Sequence, residues 1–139
     1  MNDLFHALYQ RYANFRGAAD AYTLTGGRMY RGQAPEGVIP QNGAYIIMTL
    51  IGGVIDWMFG ADKPRLEAAR VQLDVYAEWT GSSIVAMNVW NSLVKLIEDE
   101  PLQFLDGTLI RVRREGLPRE IVDGRVIQIS GDWVLEQQF

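Results

Sequence analysis

General acid–base or nucleophilic chemistry needs a titratable side chain set beside a partner, and this sequence offers few. His6 is its only histidine and cysteine is absent. Thiol nucleophiles, disulfides, cysteine–zinc sites and metal sites built on two or three imidazoles are therefore excluded. A Ser-His-Asp triad has one available base, and His6 falls among apolar positions at helical spacing, with neither a partner hydroxyl nor an orienting acid specified. Glu98, Asp99 and Glu100 stand at the end of a predicted helix, where they oppose the macrodipole. Consecutive acids on a helix end point in different directions, so they read as a solvated patch before a cation site. The runs Gly26-Gly27, Gly52-Gly53 and Gly81-Ser82-Ser83 form neither GxGxxG nor GxxxxGK[ST], so no phosphate cradle is written here. No enzyme, cofactor or metal is expected.

Residues suited to contact are easier to find. Arg111 and Arg113 project from one face of a predicted strand with Val112 opposite, and Arg114 follows. They suit a solvated face, charge pairing within this subunit or with a neighbour, or phosphate contact. Trp57, Met58 and Phe59 fall at the tip of a predicted hairpin, where tips are ordinarily polar. They form an exposed interface patch if the hairpin protrudes, and extend the core if it folds back.

At 139 residues, 48% hydrophobic and 22% charged, the chain fits one globular domain over 1–139. Its net charge of −4, with no segment basic overall, disfavours generic nucleic-acid binding and points to protein partners. The N-terminal residues lack the pattern of a secretory signal. The apolar stretch 44–61 carries Asp56 and four glycines in or beside it, and reads as strand and turn instead of a membrane span.

The elements that must position these residues follow from periodicity. Leu4, Phe5, Leu8, Tyr9, Tyr12 and Phe15 recur at spacings of three and four, predicting a helix over 2–17. A connection follows to Gly27, then a short strand from Arg28 to Arg31. The run from Gly32 to Gly43 is an ordered loop and Tyr45 to Ile51 a strand, with Gly52-Gly53 marking a bulge. Ala69 to Trp79 alternates apolar and polar with a period of two, predicting an amphipathic strand with one mostly wet face, paired antiparallel with 44–55. A second helix runs from Ile84 to Glu98, with an apolar stripe through Val85, Val89, Leu93 and Leu96, widened by Met87, Trp90, Val94 and Ile97. Strands from Thr108 to Arg114 and from Arg125 to about Glu136, broken near Gly131, close the chain. The sum is an α+β domain: two helices on a largely antiparallel, possibly mixed, sheet of four to five strands.

The stretch Gly27-Arg28-Met29-Tyr30, then Gln33-Ala34-Pro35-Glu36-Gly37, then Tyr45 to Ile51 ending in Gly52-Gly53, resembles the tail completion or tail terminator family of long-tailed bacteriophages. The strand Ala69-Arg70-Val71-Gln72-Leu73-Asp74-Val75-Tyr76-Ala77 is similar to that family's most specific segment. The likeness runs from the first helix to the last strand, and its motifs are structural. It implies a non-enzymatic virion protein: a homo-oligomeric ring, six subunits in the family, that caps the tail tube and joins it to the head-tail connector. The location would be the head-tail junction, reached from the host cytoplasm during assembly. DNA would pass through the ring without sequence-specific binding, and no membrane is involved. A head-side adaptor of the neck is the alternative role. Under this resemblance Trp57, Met58, Phe59, Arg111 and Arg113 become candidates for subunit or tube contact.

Overall fold

The computed structural model describes residues 2–14, 20–56, 65–98, 101–103 and 109–138. Helices α1 (Asn2–Asn14) and α2 (Ala21–Thr25) lead into β1 (Met29–Arg31), β2 (Tyr45–Asp56) and β3 (Arg65–Glu78). Helix α3 (Ile84–Glu98) then precedes β4 (Leu102–Gln103), β5 (Leu109–Asp123) and β6 (Val126–Gln138). The strands form one six-stranded sheet in the order β1-β2-β3-β6-β5-β4. Only the β1–β2 pairing is parallel, so the sheet is mixed.

The α+β class holds, with more elements than the sequence pattern predicts. Helix α2 occupies what reads as a connection, because five residues are too few to display a helical period. Its signals are at its ends: the Asp20 carboxylate accepts from the Thr23 N–H at 2.6 Å, and Gly26 closes it in the left-handed region at φ 62°. Strand β4 is two residues long and equally invisible to a pattern of period two.

Strand lengths follow local chemistry. The predicted β2–β3 hairpin is present, pairing Tyr45 with Tyr76 and continuing to Asp56 with Arg65, and its register shifts fall on either side of Gly52, where a bulge is expected. Strand β5 does not stop at Arg114. It continues to Asp123 through an irregularity between Glu115 and Arg119, the stretch that holds Gly116 and Pro118. Proline lacks the donor a ladder needs and is accommodated at such a bulge. The expected break at Gly131 in the last strand is absent, since β6 pairs with β3 without interruption from Val134 to Val126. The interruption lies in its partner β5.

One face of the sheet carries Met48, Leu73, Val75, Ile129, Trp133 and Leu135, and α1 and α3 complete the core over it. Of the α1 positions the spacing predicts, Leu4, Leu8 and Tyr12 are buried and Phe5 and Tyr9 partly so, Ala7 joins them, and Phe15 lies outside the described residues. On α3 the buried stripe is Ala86, Val89, Trp90, Leu93, Leu96 and Ile97, while Val85 is 52% exposed. The predicted stripe is thus buried at Val89, Leu93 and Leu96 and in its widening by Trp90 and Ile97, and departs from expectation only at Val85, in the first turn of the helix. Arg11 joins the two helices, donating to the carbonyls of Leu96 at 3.0 Å and Pro101 at 2.9 Å. A cation there satisfies the last carbonyls of α3 and complements its dipole.

Tyr12 has no exposed surface and shares a hydrogen bond with the Thr25 hydroxyl, which in turn donates to the Ala21 carbonyl. Burial pushes its pKa up to about 12; the Thr25 hydrogen bond opposes this, and the nearby Tyr9 and Tyr22 add to it. An acid that holds its proton more tightly when folded contributes stability that is complete below the unfolded pKa of about 10 and is lost as pH rises through the folded value. We expect the wild type to lose about 2–3 kcal/mol from this residue between pH 10 and 12. Urea denaturation across that range checks it: Tyr12→Phe should decline less steeply, and equal slopes would contradict the assignment.

Candidate functional site

The opposite face of the sheet is where polar and aromatic chemistry collects. The period of two puts Tyr45, Ile47 and Thr49 of β2 beside Tyr76, Asp74 and Gln72 of β3, and these beside Gln128, Ser130 and Asp132 of β6. The Tyr45 and Tyr76 rings stack with centroids 5.1 Å apart at 17°, and Tyr30 of β1 tilts against Tyr45 at 6.3 Å. Burial raises the pKa of both stacked phenols, for Tyr76 with the Asp74 charge as the next cause. Asp74 accepts from Gln72 Nε2 at 3.0 and 2.9 Å and from Gln128 Nε2 at 3.1 Å. This face, expected to be mostly wet along β3, is covered at its centre: Asp74 of β3 is 4% and its partner Ser130 of β6 2% exposed. Gly32, Gln33 and Ala34, leaving β1, wall a cavity of about 340 Å³ there with Tyr45, Ile47, Thr49, Asp74 and Tyr76.

Beyond β6 the same face becomes a charged lattice. Arg70 meets Glu115 at 3.0 Å, Arg113 meets Glu136 at 2.7 Å, and Arg119 lies 3.2 Å from the Ser130 hydroxyl and 3.7 Å from Asp132. These pairs are largely exposed and contribute little to stability. Arg111 and Arg113 do share a face, as expected, but their situations differ. Arg113 is occupied within its own subunit, whereas Arg111 is exposed and makes no ion pair among the described residues. Arg114 turns to the helix side and pairs with Glu98 of α3 at 2.8 Å. Glu98 thus belongs to a salt bridge; Asp99 and Glu100 lie outside the described residues.

Trp57, Met58 and Phe59 also lie outside the described residues. His6 is exposed on α1. Among the described residues no group of three or more His, Asp or Glu side chains is placed to hold a metal ion, and no helix is long and apolar enough to cross a membrane. The Ser82 hydroxyl accepts from the Ile84 N–H at 3.2 Å, in the turn ahead of α3.

Among the described residues the sheet is left open at both sides. Strand β1 pairs with β2 only over Ile46–Met48, and β4 pairs with β5 only over Leu109 and Ile110. Among the described residues, the outer edges of β2 after Met48 and of β5 after Ile110 therefore carry no neighbouring strand. Leu117 is 89%, Val122 48%, Ile121 45% and Ile51 43% exposed along these two strands. Unpaired N–H and C=O groups beside exposed apolar side chains are a template for pairing with another chain. The part of β5 beyond Arg114 escapes the sequence pattern because Glu115-Gly116-Leu117-Pro118 reads as a stop. The cavity escapes the pattern because Asp74 and Tyr76 read as a solvated face; their alternation carries no sign that Gly32, Gln33 and Ala34 stand beside them.

No family model matches the chain, and no curated protein matches it. Solved structures do match its shape. One, whose name carries no functional word, covers 98% of this chain and is covered over 96% of its own, with a TM-score of 0.52 at 17% identity. A likeness at that identity shows the fold alone.

Proposed function

We propose that this chain is a non-enzymatic virion assembly protein of the tail terminator kind, forming a ring that caps a phage tail tube, ends its growth and joins tail to head. The observation that carries the reading is the sheet with two unlike edges, at β2 and at β5, that are open among the described residues, the latter with Leu117 almost fully exposed. A contact between unlike edges is heterologous: each copy donates one edge and accepts the other, and the chain of copies closes into a ring when the rotation allows. The family-like segments support this reading by where they fall: Gly27-Arg28-Met29-Tyr30 leads into β1, Ala34-Pro35-Glu36-Gly37 lies in the loop after it, and Ala69 to Ala77 lies within β3.

Capping is geometric in this account. Subunits cover the last tube ring's exposed bonding surface and offer a different one to the head. Light scattering after size exclusion, over a range of concentrations, tests the ring. The expected species is near six times the 15.7 kDa of one chain, with an annular outline in negative stain. An unchanging 15.7 kDa species, both alone and with purified tubes added, would remove the reading.

A further inference from the structure

The cavity on the open face holds a carboxylate that lacks a cation. Asp74 is 4% exposed, and its oxygens accept three hydrogen bonds from two carboxamides, yet no Lys or Arg among the described residues pairs with it. Amides satisfy lone pairs without neutralising charge, and a buried charge is costly until paired. Tyr45 and Tyr76, stacked on each other, line the same cavity of about 340 Å³. A carboxylate beside stacked phenol faces is a cradle for a guanidinium, which pairs with the first and stacks on the second. Burial raises both phenol pKa values, so the rings stay neutral.

The sheet also carries a guanidinium that lacks an acid. Of the arginines that β5 and the described part of β3 place on this face, Arg70, Arg113 and Arg119 have acidic partners. Arg111 has none, because Glu136, opposite it in register, is taken by Arg113. Arg111 stands toward the β5 side of the sheet and the cradle at the β1–β2–β3 side, so one cannot fill the other within a single, continuous sheet.

We infer that the Asp74–Tyr45–Tyr76 cradle is the receptor for Arg111 of a second copy of this chain, the specificity contact of a head-to-tail interface. The inference rests on the ring reading only in requiring self-association; it does not require that the ring bind a tail. It supplies what edge pairing lacks, since backbone edges pair with little regard to register and a single buried charge pair sets it.

Mixing tests it. Asp74→Asn destroys the receptor and keeps the donor; Arg111→Ala does the reverse. Each variant alone should associate about thirtyfold or more weakly than wild type, the change expected for truncating one partner of a buried charge pair. Mixed together they retain one intact interface per pair, so the mixture should yield a heterodimer and stop there. Arg111 is exposed, so its variant should fold, and Tyr76→Leu, which keeps the carboxylate, should weaken association about fivefold. Circular dichroism melts establish folding for all three. Folded variants that assemble like wild type, or a mixture that stays monomeric, would overturn the proposal. A wild type that never self-associates would overturn it too, whatever tail tubes do; rings that obey the mixing rule but leave tube growth unaffected would uphold it and remove the tail-capping reading instead.

Discussion

Replacing Gly131 with alanine is expected to lower the unfolding free energy by about 3 kcal/mol, and valine at that position should prevent folding at 37 °C. Gly131 lies opposite Leu73 on the core face of β6, beneath α3. A Cβ built there would stand 2.3 Å from Cη2 and 2.7 Å from Cζ2 of Trp90. Such distances require the indole or the strand to move. Trp90 is 2% exposed and its ring rests 5.9 Å from that of Trp133, which has no exposed surface, so the indole has nowhere to go. Interiors are packed at crystal-like density, and inserted methyl groups typically cost about 1–3 kcal/mol, more where neighbours cannot yield. Urea denaturation measures the loss. Combined with Trp90→Leu, Gly131→Ala should cost clearly less than the sum of the two single changes, because both act on one contact. A Gly131→Ala protein within about 0.5 kcal/mol of wild type would show that the helix does not press on this strand.

Leu117→Lys together with Val122→Lys should abolish ring formation while leaving the monomer as stable as wild type. Both side chains are substantially exposed, 89% and 48%, so the monomer loses little burial; surface changes of this kind are ordinarily within about 0.5 kcal/mol. In a ring that uses the β5 edge, two added positive charges would be placed against a neighbouring strand, which is how natural edge strands avoid pairing. Thermal melts should therefore coincide for the two proteins, and light scattering should show the variant as monomer at concentrations where wild type assembles. Rings of normal mass from the variant would mean that β5 faces solvent in the assembly.

These two residue sets also show what was legible before the structure. The β2–β3 hairpin and α1 could be read because each buries one face over many residues, so periods of two and of 3.6 stand out. From the sequence alone Gly131 reads as a break in the strand, which the pairing of β6 with β3 runs straight through. A glycine inside a strand marks either a break or a close approach, and only the placement of Trp90 from a helix forty residues earlier decides between them. Helix α2 and β4 were too short for any period, although Asp20 and Gly26 marked the ends of the first. Arg111 and Arg113 looked equivalent on their strand. Their difference arises across the β5–β6 ladder, where Glu136 can satisfy one of them. Asp74 reads as solvated because its alternation on β3 does not reveal that Gln128 of β6, remote in sequence, closes on it with Gln72, nor that residues 32–34 share its cavity.

The resemblance and the open edges bear on function from different directions. The first supplies an expectation of capping a tube; the second supplies a physical reason for copies to join. The most direct test of the whole is the length distribution of tail tubes polymerising in vitro with and without this protein, read by electron microscopy. The account predicts that tubes stop at a length set by the time of addition, with a ring at one end of each. Tubes that keep growing at the same rate, with no density at either end, would contradict it.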